Sequence, residues 1–319
     1  ESVDESTDRA HVALKERVMK VLVAYDFSDT SAEALEQASR EAKALGATLG
    51  LSHVMPFVYD VEPFFSQFHQ KALLDMTAAE GATRQAIEER VKGLVAGQPL
   101  EVFVDRGVPY AELIRRAETW GADLVVVGSH DRSGIARVLL GSVAERVVRH
   151  AHVSVLVARK TPTTGVVVAA TDLSELSLPV IEAAARAAER RNAKLVVVTA
   201  VDWSFAAWGS VAGAPFGATP VVPPPEAQAE MREAMRQTMQ RELDRVRTTG
   251  EAQVIDGSPT SAVTEFAQSV GAELIVVGTH GRTGLSRLAL GSVAENVIRS
   301  AERSVLVVRK GSVPSTQPK

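Results

Sequence analysis

Short apolar runs alternate with longer stretches of helical spacing along this chain, and the alternation is played twice. Val18–Ala24 (VMKVLVA) is broken only by Lys20, the pattern of a strand buried on both faces. It ends at Tyr25-Asp26-Phe27-Ser28, and Ser31 is the expected N-cap of a helix over Ala32–Leu45 that Gly46 stops. Leu49–Met55 reads as a second strand, Leu73–Val95 as a helix, Val102–Val104 as a third strand and Tyr110–Trp120 as a helix. Leu124–Val127 is a fourth strand, Ser142–Ala151 a helix and Val153–Ala158 a fifth strand. The order then returns with strand Val166–Ala169, helix Leu178–Arg190, strand Leu195–Ala200, helix Glu226–Arg247 and strand Val254–Ile255. A helix, a strand, a glycine loop, a helix and a last strand close it. This alternation predicts an α/β fold, with a doubly wound five-stranded parallel sheet in each half. Residues 57–69, rich in Phe, and Trp203–Pro225, rich in Gly, Ala and Pro, read as loops, the second packed by Trp203 and Trp208.

The repetition is visible residue by residue. Residues 121–160 align without gaps on residues 271–310, and more than half of the positions are identical. An offset of 150 residues is domain-sized, so the chain carries two copies of one domain rather than a solenoid. The expected division is a tail over 1–16, a first domain over 17–160, a linker over 161–165, a second domain over 166–310 and a tail over 311–319.

Composition narrows the function classes. A length of 319 residues lets each copy bury its own core. The net charge of −4 argues against a nucleic-acid or anionic-membrane footprint, and no apolar run approaches the ~20 residues of a membrane span. The absence of cysteine excludes disulfides, thiolate metal sites and thiol nucleophiles. His11, His53, His69, His150 and His152 show no metal-ligand spacing. The opening ESVDESTDR lacks the regions of a signal peptide, so a cytoplasmic protein is expected.

Two loops leave carboxyl ends of strands, where doubly wound sheets bind ligands. One follows the first strand of each copy (Asp26; Asp172), the other the fourth (Gly128; Gly278). Gly278 and Gly281 would allow positive φ and close approach of a ligand to the backbone. Gly291-Ser292 opens a helix over Val293–Ser300, whose unpaired first amides and positive dipole end suit a phosphate. Arg282, Arg287 and His280 make the loop locally positive, and Asp172 is placed to accept hydrogen bonds from ribose hydroxyls. A plainer account stands beside this one: the glycines only shape turns and the serine only caps a helix.

These residues resemble the universal stress protein family in its tandem form. The motif G-x2-G-x9-G-[ST] is complete at Gly278, Gly281, Gly291 and Ser292, with D-x-S after the first strand and SVLV closing each copy. The resemblance implies two Rossmann-like, adenine nucleotide alpha hydrolase-like domains arranged as a pseudo-dimer, their last strands paired. It also implies ATP, with Mg²⁺ or Mn²⁺ held by phosphate oxygens and water rather than by the protein. Carried onto the second copy, Ala170 and Asp172 flank adenine and ribose, with Ala200 and Val277 beside the base. Gly278, His280, Gly281, Gly291, Ser292 and Val293 hold the phosphates.

The first copy departs from the motif. It keeps Asp26, Val54, Gly128, His130, Gly141 and Ser142, but Asp131 stands where the second copy has Gly281. A carboxylate beside a polyphosphate repels it, so the expectation is weakened or absent binding there. The function expected is a nucleotide-binding stress or regulatory protein, with an unknown protein partner and a possible homodimer of the tandem chain. The alternatives are a nucleotide-independent scaffold, or a slow ATPase or autophosphorylating enzyme in which His280 is the histidine of the loop.

Overall fold

The computed structural model describes residues 18–56, 69–95, 97–129, 140–174, 177–203, 222–279 and 290–309, with the backbone alone over 69–76. The first half runs β1 (Lys20–Ala24), α1 (Asp29–Leu45), β2 (Thr48–Met55), α2 (His69–Val91), β3 (Leu100–Arg106), α3 (Pro109–Trp120), β4 (Leu124–Gly128), α4 (Ser142–His150) and β5 (Ser154–Ala158). The second half repeats the order. It runs β6 (Val166–Ala170), α5 (Ser177–Arg191), β7 (Lys194–Val201), α6 (Pro225–Val246), β8 (Glu251–Asp256), α7 (Pro259–Ser269), β9 (Leu274–Gly278), α8 (Ser292–Ser300) and β10 (Ser304–Val308).

The apolar runs become strands because both of their faces are covered. Val21 and Val23 belong to a core on one side of the sheet that also holds residues of α1, α2, α5 and α6, while Leu22 belongs to the core on the other side, with residues of α3, α4, α7 and α8. Within each half the pairing is parallel, in the order β3-β2-β1-β4-β5 and its equivalent β8-β7-β6-β9-β10. The chain moves outward from β1 and returns at β4, so strand order reverses between β1 and β4, and again between β6 and β9. Those two crevices are where a doubly wound sheet receives a ligand.

Strands β5 and β10 pair antiparallel, Leu156 opposite Leu306, and this one ladder joins the halves into a ten-stranded sheet. Each strand thereby covers the other's open edge. Two arginines cross the junction. Arg159, just past β5, donates to Ile298 O at 2.5 Å and to Arg303 O at 3.2 Å, at the end of α8. Arg309, just past β10, donates to Val148 O at 2.8 Å and Arg149 O at 2.9 Å, at the end of α4. Burial pulls the Arg159 guanidinium down to about 10 and lowers Arg309 as well. Arg159 therefore stays charged at neutral pH and complements the carbonyl end of the helix it caps.

Several local expectations change, among them the strand expected over Val254–Ile255, which runs Glu251–Asp256, and the helix expected over Leu73–Val95, which runs His69–Val91. The cap of α1 is Ser28, not Ser31: Ser28 Oγ accepts from Ser31 N at 3.1 Å, so the helix begins at Asp29. The third strand extends over Leu100–Arg106, beyond Val102–Val104, because an edge strand carries polar residues such as Glu101 and Asp105 that hide its apolar pattern. Among the described residues no helix is long and apolar enough to cross a membrane.

Candidate functional site

The reversal between β6 and β9 holds a cavity of about 300 Å³. β6 delivers Ala170, Thr171 and Asp172 to it. Leu173 then takes a left-handed φ of 61°, and Asp172 Oδ1 accepts from Ser174 N at 3.1 Å, so the aspartate is fixed by the turn it begins. β9 ends at Gly278, and the chain comes back to where it left, because Gly291 N donates to Thr279 O at 2.7 Å. Helix α8 starts directly after that bond.

The cap of α8 is Gly291 (φ −65°, ψ 144°), which has no side chain to bond the first amides. Ser292 is the first helical residue, one earlier than the sequence suggested, and it does not cap the helix. The first-turn amides of α8 therefore carry the positive end of the helix without a side-chain acceptor from their own cap. The glycine conformations also differ from expectation. Among the described residues the glycines with positive φ are Gly46, Gly97, Gly107, Gly121, Gly165, Gly257 and Gly271, and Gly128, Gly141, Gly278 and Gly291 are not among them. Gly128 is required by packing instead: a Cβ there would sit 2.8 Å from the Thr30 carbonyl oxygen and 2.9 Å from its carbon.

Ala170, Asp172, Ala200, Val277, Gly278, Gly291, Ser292 and Val293 all line this one cavity. His280 and Gly281 lie outside the described residues, as do Arg282 and Arg287. Thr171, Ser177, Pro259, Val263 and Thr279 line it too and were not singled out from sequence. Pro259 follows Gly257 (φ 115°) in the turn after β8 and opens α7, as Pro109 follows Gly107 after β3, so the repetition of that G-x-P turn was the available signal.

In the first half Asp26, Val54, Gly128 and Gly141 line a cavity of about 750 Å³ at the equivalent reversal. Asp26 Oδ1 accepts from Ser28 N at 3.0 Å and from Ser28 Oγ at 2.5 Å. Ser142 is exposed at the start of α4 and does not line this cavity, a departure from its second-half counterpart. His130 and Asp131 lie outside the described residues. Trp203 donates its indole N–H to Asp256 Oδ1 at 2.8 Å under the Arg232 guanidinium, and hydrogen bonds from Arg232 and Trp203 hold the Asp256 carboxyl below its ordinary range. Trp208 is outside the described residues.

The family model described as universal stress protein family matches this chain twice, over residues 18–159 and 164–309. The chain belongs to the universal stress protein family. A universal stress protein of Mycobacterium tuberculosis is 28% identical over 321 residues, covering 91% of this chain and 94% of its own. One from Methanocaldococcus jannaschii is 34% identical over 146 residues, covering 44% of this chain and 82% of its own, a one-domain match. A universal stress protein structure from Archaeoglobus fulgidus superposes with a TM-score of 0.62 at 20% identity, covering 92% of this chain and 98% of that one. That likeness is one of fold.

Proposed function

We propose that this universal stress protein binds ATP in its second half and that occupancy adjusts its shape or its choice of partner. The observation that carries the reading is the glycine-capped start of α8 beside Gly278 and opposite Asp172, in one cavity at a strand-order reversal. The residues present suit the parts of the ligand. Ala170, Ala200 and Val277 offer an apolar wall for a base, and Asp172 an acceptor for ribose hydroxyls. The amides of Ser292 and Val293 offer donors for phosphate, and the family resemblance adds His280 and Gly281 of the loop. The cavity volume is within the range of small-molecule sites. Mg²⁺ or Mn²⁺ would be held by phosphate oxygens and water.

Calorimetric titration of the nucleotide-free protein with ATP and Mg²⁺ tests this, with one site per chain as the expected result. Two sites would mean that the first half accommodates Asp131, and none at millimolar ATP would move the reading to a scaffold. We further predict that Asp131→Gly raises ATP affinity in the first half, because it removes a carboxylate from the loop. An unchanged stoichiometry and affinity in that variant would place the difference between the halves elsewhere.

A further inference from the structure

A further cavity, of about 120 Å³, lies where α1 and α5 meet over the β5–β10 ladder, and residues of both halves line it. None of them lines either crevice described above. The cavity has a cause in the sequence. Gly46 follows α1 and Asn192 follows α5, both left-handed, and Gln37 and Ala183 each stand nine positions before them. Gln37 fills its place: Nε2 donates to Arg159 O at 2.7 Å, and Oε1 accepts from Ser304 Oγ at 3.0 Å. Ala183 holds the corresponding place in the second half with a side chain that ends at Cβ. The space lies on that side of the junction. Ala183 and Ser154 line it, whereas their counterparts Gln37 and Ser304 do not.

The floor is apolar and the rim is cationic. Leu124, Leu156 and Leu306 of the sheet line the floor, with Leu45 of α1 beside them. Leu156 is 2% exposed, but Leu306, its partner in the ladder, is only half-buried, so apolar surface stays open at the middle of the junction. Helix α5 contributes Arg186, Arg190 and Arg191 to the lining. The carboxylates nearby are already engaged. Asp123 Oδ2 accepts from Lys20 N at 2.8 Å, and Glu41 Oε2 accepts from Arg190 Nε and Nη2 at 3.2 and 3.0 Å. Nη1 of Arg190 has no hydrogen bond among the described residues. An open guanidinium edge beside an apolar hollow suits an anion with an apolar body.

We propose that the junction cavity binds a small amphipathic carboxylate, with its apolar body on the leucine floor and its carboxylate on Arg190 Nη1. The volume fits a single ring or a short branched chain, since an apolar cavity of about 150 Å³ takes up benzene. Both halves line the cavity, so an occupant stabilises the junction itself. This does not rest on ATP binding by the second half.

The test is a titration of the full chain with sodium benzoate, read by calorimetry and by methyl NMR, with benzyl alcohol as the uncharged analogue. One benzoate site per chain is expected. The methyl resonances of Leu45, Leu124 and Leu306 should shift, while those of Val277 in the second-half crevice stay in place. Benzyl alcohol should bind about tenfold more weakly, the worth of a charge-assisted hydrogen bond. Ala183→Gln copies Gln37, Ala183→Met fills the same space without an amide, and each should lower benzoate affinity by about tenfold or more. Absence of saturable binding, shifts at Val277 instead of the three leucines, equal affinity for the alcohol, or full affinity in a folded Ala183 variant overturns the proposal. The methyl shifts locate the site in the wild-type chain even if both variants fail to fold. Saturating ATP should leave benzoate affinity unchanged, so this reading and that of the second half can fail separately.

Discussion

Gly281→Asp abolishes ATP binding by the second half: this is the largest effect we predict. The substitution copies into the second loop the residue that the first carries at Asp131. A carboxylate held about 4 Å from a phosphate charge costs about 4 kcal/mol at the effective dielectric near a protein surface, roughly a thousandfold in Kd. The fold should be untouched, since none of the described core residues is altered. Calorimetry gives the affinity and circular dichroism the fold. Retained affinity would show that a carboxylate at this place is tolerated, and would remove the reason for treating the first half as impaired.

Loss of stability is the second large effect, and it belongs to the junction. Glu41 of α1, with its side chain 7% exposed, meets Arg190 and Arg191 of α5. Arg190 Nη2 lies 3.0 Å from the carboxylate, and Arg191 extends the network to Glu273 at 3.5 Å. Removing one partner of a buried ion pair leaves its counterions dehydrated and unpaired, which costs about 3–5 kcal/mol where burial is complete. The two arginines keep some contact with water, so Glu41→Ala should cost about 2–3 kcal/mol. Urea unfolding of the full chain reads the change as a lowered midpoint. A loss below about 0.5 kcal/mol, the range of ordinary surface substitutions, would show that the network contributes little. On the opposite face Arg149–Glu295 and Arg299–Glu145 span the same junction at 3.1 and 2.8 Å, but these pairs are more exposed and should matter less.

How much of the site the sequence disclosed follows from where its residues sit. Asp172 and Gly278 end neighbouring strands, so the rule that ligands collect beyond carboxyl ends of strands brings them together without any knowledge of side-chain packing. Val263 of α7 reaches the cavity only because its helix packs back over the sheet, and no local pattern announces that.

By itself the sequence determined the alternation of strands and helices, the parallel sheet in each half and the duplication. These rest on apolar periodicity, on turn residues and on self-similarity, all of them local or repeated signals. Only the tertiary structure decided that Ser28 rather than Ser31 caps α1, that Gly128 answers to the Thr30 backbone, and that Arg159 and Arg309 cap helices of the opposite half. The arginine contacts join residues more than a hundred positions apart. Their energies depend on carbonyls left open at helix ends and on burial, and that burial does not exist until the two halves have met.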